Sequence, residues 1–191
     1  MIFILFGQSG TGKTTVLQDV IKFKKYNLTP IVTYTTRPPR EDEVDGKDYH
    51  FIDKDTFLDM SVQGKFLETS KYTVSGGEIW YYGSLKSDFT SDGDKIVIVN
   101  PEGLRSILRS CRTNNILTTT IYLYCQETVR LKRLEKRGDS YSEIKRRMEA
   151  DKKDFKDSVV RLANHKINTS RLTFKQVSTK VGNIITFTQN M

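Results

Sequence analysis

Runs of apolar and β-branched residues alternate along the chain with segments of helical character. Such runs occur at 2–6 (IFILF), 95–100 (KIVIVN) and 118–125 (TTTIYLYC), and a more polar short strand is expected at 165–169 (HKINT). A run of this length predicts a strand that is buried on both faces, as in a parallel sheet. Because helical segments separate the runs, we predict the α/β class, with a parallel sheet flanked by helices.

Local signals predict where the helices begin and end. One helix is expected from Lys13 to about Lys24, directly after the first strand. Another begins at Pro101, which suits the first turn of a helix, and ends near Arg109. A basic helix is expected after the third run. Capping-box pairs mark two further helix starts, at Ser140 with Glu143 and at Thr173 with Gln176.

Residues 33–92 interrupt this alternation. They contain two short helical stretches and several strand and turn candidates, which are YHFI (49–52), KFLET (65–69), the Gly76–Gly77 turn and IWYYG (79–83). We therefore predict one domain, with an α+β insertion at 33–92 and a core made of 1–32, 93–125 and 151–191.

Composition and charge narrow the classes of function. The chain has 191 residues, a net charge of +8 and a pI of about 9.4, which favours anionic partners such as nucleotides. No basic-aromatic module predicts a specific nucleic-acid partner. The longest apolar run is too short to cross a bilayer, so no membrane partner is expected, and two isolated cysteines fit a reducing cytoplasm. Cys111 and Cys125 lack metal or redox spacing, and the sequence sets no oligomeric state.

A phosphate-binding loop is predicted at 7–14 (GQSGTGKT), which matches G-x-x-x-x-G-K-[ST] between a strand and a helix. Its glycines let backbone N–H groups surround a phosphate, and Lys13 reaches the β- and γ-phosphates. The Thr14 hydroxyl is the candidate ligand for Mg²⁺. A glycine-rich turn with an incidental lysine is the alternative. The predicted ATP contacts here are Gly7, Ser9, Gly10, Thr11, Gly12, Lys13, Thr14 and Thr15.

The stretch 35–51 (TTRPPREDEVDGKDYHF) carries two arginines on a loop that is stiffened by two prolines. Arginine binds phosphate through paired hydrogen bonds and stays charged, so Arg37 and Arg40 are candidates to hold a phosphomonoester. Tyr49 and Tyr82 offer phenolic donors for the same group. Alternatively, the arginines pair on a surface loop with the neighbouring acids Glu41, Asp42 and Glu43.

The chain resembles the guanylate kinases, which phosphorylate GMP with ATP. Four stretches carry the likeness in the family's order and at similar spacing: 7–15 (GQSGTGKTT), 35–51, 64–68 (GKFLE) with 81–84 (YYGS), and 133–138 (RLEKRG) with 146–148 (RRM). The second stretch is the most specific, because its string of arginines, acids and tyrosine is not a general phosphate motif. The resemblance implies a P-loop kinase fold, a nucleotide-binding insertion at 33–92 and a helical lid at 126–150.

The resemblance also implies the site for GMP or dGMP. Glu68 would accept hydrogen bonds from guanine, although by itself it is an ordinary strand residue. Trp80 is expected to serve packing. The residues implied to bind the acceptor are Thr33, Arg37, Arg40, Tyr49, Glu68, Tyr82, Ser84 and Asn100.

On the ATP side, the resemblance implies a lid whose arginines reach the transferred phosphoryl group. Arg146 is an alternative to Arg147, because the two are adjacent, and Asn168 would lie near the ATP base. Phosphoryl transfer needs positioning and charge stabilisation more than covalent chemistry. The residues expected to supply that charge, together with Mg²⁺ on ATP, are Lys13, Arg37, Arg133, Arg137 and Arg147.

The stretch IVIVNPEG (96–103) departs from the family pattern. Ile98 and Asn100 stand where the family has aspartates that help to place Mg²⁺ and to read guanine. This keeps open a related P-loop kinase with a different phosphorylated acceptor. A non-catalytic guanylate kinase-like binding module is the other alternative, although such modules usually have a damaged phosphate loop and the loop here is intact.

Overall fold

Two β-sheets organise the chain in the computed structural model, which describes residues 1–41, 43–74 and 77–191. The strands are β1 (Ile2–Phe6), β2 (Leu28–Pro30), β3 (Tyr34–Thr35), β4 (His50–Phe51), β5 (Phe66–Thr73), β6 (Ile79–Leu85), β7 (Asp94–Ile98), β8 (Thr118–Tyr124) and β9 (His165–Asn168). The helices are α1 (Lys13–Val20), α2 (Lys54–Val62), α3 (Lys86–Thr90), α4 (Pro101–Thr113), α5 (Glu127–Lys136), α6 (Tyr141–Asp154), α7 (Asp157–Val160) and α8 (Phe174–Gln189).

The main sheet consists of five strands in the order β2-β7-β1-β8-β9, and all of its strand pairs are parallel. Alternate residues of β1 supply its two faces. Ile2, Ile4 and Phe6 pack toward α4 and α7, whereas Phe3 and Leu5 pack toward α1 and α8. Helices therefore cover both faces, which explains the unbroken apolar run in β1. The predicted α/β class with a parallel sheet is confirmed.

A smaller sheet forms within residues 33–92, in the order β4-β3-β6-β5. β3 runs parallel to β4 and antiparallel to β6, and β5 pairs antiparallel with β6. The register places Glu68 opposite Ser84 and Ser70 opposite Tyr82. Side chains two residues apart share a face, so this pairing gathers polar groups on one side of the sheet. Asp42 and Gly76, the first residue of the predicted turn, lie outside the described residues.

The first helix is shorter than predicted. It ends at Val20 rather than near Lys24, and a 3₁₀ turn follows at Lys24–Tyr26. The turn directs the Tyr26 side chain into the core against α8. A Cβ atom on Gly182 would lie 2.0 Å from Tyr26 Oη, so α8 is tightly packed at this position. Tertiary packing here outweighs the helical pattern of the local sequence.

Helix α4 is longer than predicted and ends at Thr113 instead of near Arg109. Leu104, Ile107 and Cys111 continue one buried face along it, and this face packs on the main sheet. Burial of Cys111 therefore holds the last turn in place.

The two predicted capping boxes differ in outcome. Thr173 and Gln176 form a complete box at the start of α8, as predicted. Ser140 caps α6 by accepting a hydrogen bond from the Glu143 N–H at 3.3 Å. The Glu143 carboxylate, however, turns to Arg146, with N–O distances of 2.7 and 2.8 Å. Charge pairing has taken the place of the second capping bond.

Across the described ranges, no helix combines the length and the apolar character needed to cross a membrane.

Candidate active site

The phosphate loop connects the carboxyl end of β1 to α1. Gly10 and Gly12 have positive φ angles of 77° and 92°, which glycine adopts at no steric cost. A Cβ atom on Gly7 would lie 2.1 Å from the Leu123 carbonyl oxygen, so only glycine fits beside β8. The Thr11 side chain is buried and donates to the Gln8 carbonyl at 2.7 Å. Thr11 thus supports the loop with its side chain, while Thr14 and Thr15 are exposed.

The Lys13 side chain extends from the first residue of α1 back over the phosphate loop. Its Nζ donates to the carbonyl oxygens of Gly7 and Gln8 at 2.7 and 3.0 Å. Burial is the main reason that the pKa of Lys13 falls to about 8; the Asp151 carboxylate opposes this shift and Arg130 adds to it. An anionic phosphate in the loop would favour the protonated amine and raise that pKa.

The three predicted lid arginines have different partners. Arg133, in α5, donates to the Gly10 carbonyl at 3.2 Å and to the Thr169 carbonyl at 2.9 Å. Arg137 binds the Asp139 carboxylate, with an Nε–Oδ1 distance of 2.9 Å. Arg147 Nε lies 2.7 Å from Glu143 Oε1. The structure therefore places Arg133 against the phosphate loop, and Arg137 and Arg147 beside acidic residues of their own segment.

In the region predicted to bind the acceptor, Glu43 joins the two arginines of the 35–51 stretch. Arg37 Nη2 and Arg40 Nη1 lie 2.8 and 3.0 Å from Glu43 Oε1, and the Arg40 N–H donates to Glu43 Oε2 at 2.8 Å. Burial alone would raise the pKa of Glu43, but these hydrogen bonds and charges hold it below its ordinary value. The pairing that the sequence offered as an alternative to phosphate binding is thus present, with Glu43 as the acid.

Two tyrosines accompany these arginines. The Arg37 guanidinium lies over the Tyr49 ring, 5.3 Å from its centroid, and Arg37 itself is only 4% exposed. The centroids of the Tyr49 and Tyr82 rings are 6.1 Å apart, and the ring planes meet at 67°. Arg37, Tyr49 and Tyr82, which the sequence assigns to one phosphate, are therefore neighbours in the fold.

Glu68 and Ser84 form a buried polar pair between β5 and β6. Ser84 Oγ donates to Glu68 Oε1 at 2.8 Å, whereas Glu68 Oε2 has no hydrogen-bond partner among the residues that the structure describes. Burial raises the pKa of Glu68 to about 7; Ser84 opposes the shift and Glu102 adds to it. Ser84 is fully buried, so its hydroxyl orients Glu68 rather than facing open space. A buried carboxylate oxygen without a donor is suited to bind N–H groups.

The Asn100 side chain has a structural role, because it links the start of α4 to β5. Its Oδ1 caps α4 by accepting from the Gly103 N–H at 2.8 Å, and its Nδ2 donates to Ser70 Oγ at 2.7 Å. Its predicted contact with the base stays a prediction. Ile98, two residues before Asn100, ends β7 with an apolar side chain.

A cavity of about 200 Å³ connects these parts. Its lining includes residues of the phosphate loop, of the predicted acceptor region and of the predicted lid, together with others, namely Gly7, Ser9, Lys13, Thr33, Tyr49, Glu68, Tyr72, Trp80, Tyr82, Ile98, Asn100, Arg146, Arg147 and Asp151. Trp80, expected to serve packing, is therefore part of the cavity wall, and its Nε1 is covered without a partner among the described residues. Asn168 lies elsewhere: it is exposed at the end of β9 and accepts from the Ser170 N–H at 2.9 Å.

Comparison with known proteins agrees with this geometry. The sequence profile described as Guanylate kinase matches residues 1–180. This chain belongs to the guanylate kinase family. The predicted family and the predicted class of enzyme, an ATP-dependent nucleoside monophosphate kinase, are confirmed.

Individual guanylate kinases are similar over most of their length. The guanylate kinase of Nitrosomonas europaea is 33% identical over 180 residues, which cover 88% of this chain and 84% of that protein. The guanylate kinase of Mycoplasma mobile is 30% identical over 164 residues, covering 81% and 79%. The crystal structure of guanylate kinase from Anaplasma phagocytophilum superposes with a TM-score of 0.72 at 19% identity, covering 99% of this chain and 86% of that one, and supports the fold.

Sequence reasoning missed several residues of this guanylate kinase-like site. Arg130 and Asp151 contact the backbone of Ser9, and Thr169 links Arg133 to the Thr11 carbonyl. None of them belongs to a phosphate motif, and each lies more than 100 residues from the loop that it contacts. Only their packing against the loop brings them into the site.

The family's use of Mg²⁺ is compatible with the side chains present. Within the described ranges, no group of three or more His, Cys, Asp or Glu residues forms a metal cluster. Mg²⁺ in kinases keeps several water ligands and is held largely by the phosphates of the nucleotide, so such a cluster is not required. The Thr14 residue, whose hydroxyl is predicted to bind Mg²⁺, is exposed in α1.

Proposed function

We propose that this chain transfers the γ-phosphoryl group of ATP to GMP or dGMP and releases ADP with GDP or dGDP. The observation that carries this proposal is the shared cavity, in which Lys13 of the phosphate loop, Tyr49 and Tyr82 of the acceptor region and Glu68 line one space. Donor and acceptor sites in one cavity allow an in-line transfer between bound nucleotides.

On the acceptor side, Arg37, Arg40, Tyr49 and Tyr82 bind the phosphate of GMP. The base lies against Glu68, whose free Oε2 accepts from the N–H groups of guanine, while Ser84 fixes the other oxygen. Adenine does not present adjacent N–H donors in this arrangement, so the carboxylate selects guanine. Thr33 and Asn100 complete the wall around the base.

On the donor side, the Lys13 amine and the backbone N–H groups of 7–15 hold the ATP phosphates, except the N–H of Ser9, which is bonded to Asp151. Thr14 would hold Mg²⁺, which would supply further positive charge when bound. Arg133, Arg137 and Arg147 approach from α5 and α6 and offset charge on the transferred group. Arginines in such positions are worth about 10³–10⁵ in rate in related phosphoryl transfers. Asn168 is the candidate contact for the adenine end. We also place the reaction in the cytoplasm, without a membrane or nucleic-acid partner.

A coupled assay of ADP release tests this function. ATP and Mg²⁺ are supplied with GMP, dGMP, AMP, CMP or UMP. Turnover restricted to GMP and dGMP is expected. Glu68→Gln should reduce it strongly, whereas the exposed control Glu78→Gln should leave it unchanged. If AMP or a pyrimidine nucleotide is phosphorylated as well as GMP, Glu68 does not select guanine. If none of the five is phosphorylated, the acceptor belongs to another class or the chain is a binding module.

A further inference from the structure

Both backbone groups of Ser9 are held by one ion pair. The Ser9 N–H donates to Asp151 Oδ2 at 3.0 Å, and Arg130 Nε donates to the Ser9 carbonyl at 2.8 Å. Arg130 Nη2 in turn binds Asp151 Oδ2 directly. The three residues form a closed ring of hydrogen bonds between the phosphate loop, α5 and α6.

The Arg130–Asp151 ion pair is buried, although packing of α5 against α6 does not require charged residues there. Arg130 is 3% exposed and Asp151 is 7% exposed. An apolar cluster of Leu134, Ile144 and Met148 already joins α5 to α6. Because two desolvated charges usually contribute no more stability than apolar residues of similar volume, helix packing alone does not explain the pair.

The geometry instead suits the needs of a phosphate loop. A loop that directs N–H groups inward to phosphate must direct carbonyl groups outward, and those carbonyl groups need donors. Arg130 donates to the Ser9 carbonyl group. Arg133, one turn further along α5, donates to the Gly10 carbonyl group at 3.2 Å. The contact between loop and helix is also close, since a Cβ atom on Gly10 would lie 3.0 Å from the Arg130 carbonyl oxygen.

We propose that Arg130 and Asp151 are a positioning pair that holds the phosphate loop in the shape that binds ATP and ties that shape to the α5–α6 segment. Arg130 orients the Ser9 carbonyl, and Asp151 orients both Arg130 and the Ser9 N–H. The pair adds no net charge, so it shapes the loop without neutralising Lys13. The inference rests on the proposed function only in taking ATP as the ligand of the loop.

Two test variants distinguish a positioning role of the Arg130–Asp151 pair from a role in helix packing alone. Arg130→Met combined with Asp151→Asn removes both charges while keeping side chains of similar length, so the fold is expected to persist. Arg130→Lys keeps the charge opposite Asp151, but a single amine does not replace Nε and Nη2, which serve different partners. The matched control is Glu127→Gln with Lys152→Met, an exposed ion pair of 3.5 Å that joins the same two helices.

The primary measurement is the Kd for Mg²⁺·ATP by calorimetry without acceptor, accompanied by KM values for ATP and GMP and by the thermal midpoint. Both test variants should weaken ATP binding by about 10- to 100-fold, as expected for a displaced binding group, and leave the KM for GMP within about twofold. The control should match the wild type. Because ATP binding is measured without acceptor, the proposal stands or falls independently of GMP turnover.

Unchanged ATP affinity in both test variants would overturn the positioning role. A parallel loss of ATP binding, GMP affinity and thermal midpoint would also overturn it, because that pattern marks a purely structural pair. A control variant that weakens ATP binding as much as the test variants would assign the effect to the α5–α6 contact in general.

Discussion

The Glu43 carboxylate lies between Arg37 and Arg40, with one oxygen 2.8 Å from Arg37 Nη2 and 3.0 Å from Arg40 Nη1. Its other oxygen accepts from the Arg40 N–H. Glu43 therefore sets both the spacing of two like charges and the backbone of the loop that carries them. This relationship gives the two arginines, which are predicted to bind the acceptor phosphate, a fixed arrangement in the free protein.

Glu43→Gln is expected to raise the KM for GMP roughly tenfold, equivalent to about 1.4 kcal/mol, with a smaller effect on the KM for ATP. The neutral side chain no longer offsets the repulsion between Arg37 and Arg40, so the arginines separate. Steady-state kinetics with each substrate varied in turn measures the change. Glu41→Gln, an exposed change on the same loop, is the control. A fall in the KM for GMP would instead mean that Glu43 competes with the substrate phosphate.

The affinity for GMP should depend on the protonation of Glu68. Its pKa is about 7 in the free protein, and only the ionised carboxylate accepts from both guanine N–H groups. The value of kcat/KM for GMP is therefore expected to rise up to about tenfold per pH unit below pH 7 and to level off above it. A profile measured at saturating ATP tests this.

Glu68→Gln supplies the control for that profile. The GMP phosphate has its own second ionisation near pH 6, so the effect of that ionisation on kcat/KM should persist in the variant. The change in kcat/KM near pH 7 should be absent from the residual activity of the variant. If the variant keeps the same limb near pH 7, the titrating group is not Glu68.

The same carboxyl group should lower the stability of the unliganded protein at high pH. Folding raises its pKa from an ordinary 4.5 to about 7, so the folded state holds a proton that the unfolded state releases. Stability is then lost as pH rises from about 4.5 to 7 and stays constant above, by up to about 3 kcal/mol. Glu68→Gln is expected to be more stable than the wild type at pH 8 and equal to it near pH 4. Denaturant unfolding at both pH values measures the difference, and a less stable variant at pH 8 would contradict the prediction.

The catalytic efficiency for ATP should decline at alkaline pH because the Lys13 amine loses its proton. Its pKa of about 8 in the free protein means that the amine loses its proton above that pH. We expect kcat/KM for ATP to fall above pH 8. Lys13→Arg, which stays charged, is expected to be less active but to lack this limb. An unchanged limb in the variant would assign the titration to another group.

Local patterns in the sequence predicted much of this protein. The phosphate loop, the parallel main sheet and the Thr173–Gln176 cap depend on residues that are close together along the chain, so spacing alone reveals them. Residue chemistry suggested that Arg37, Tyr49 and Tyr82 serve one phosphate, whereas the role of Glu68 came from resemblance to a family. The division into core, insertion and lid, and the individual substrate contacts, stay predictions.

Tertiary structure decided the rest, because buried polar groups take whichever partners the packing brings to them. Ser9 meets Arg130 and Asp151 from 121 and 142 residues away, and nothing in their local sequence marks them. The sequence offered Arg37 and Arg40 three neighbouring acids, and the folded loop places Glu43 between them. The pKa of Glu68 follows from its burial beneath α4, which exists only once both sheets are in place. The residue pattern along the chain therefore determined the strands and helices. Burial of residues that are distant in sequence determined how the charged groups are paired.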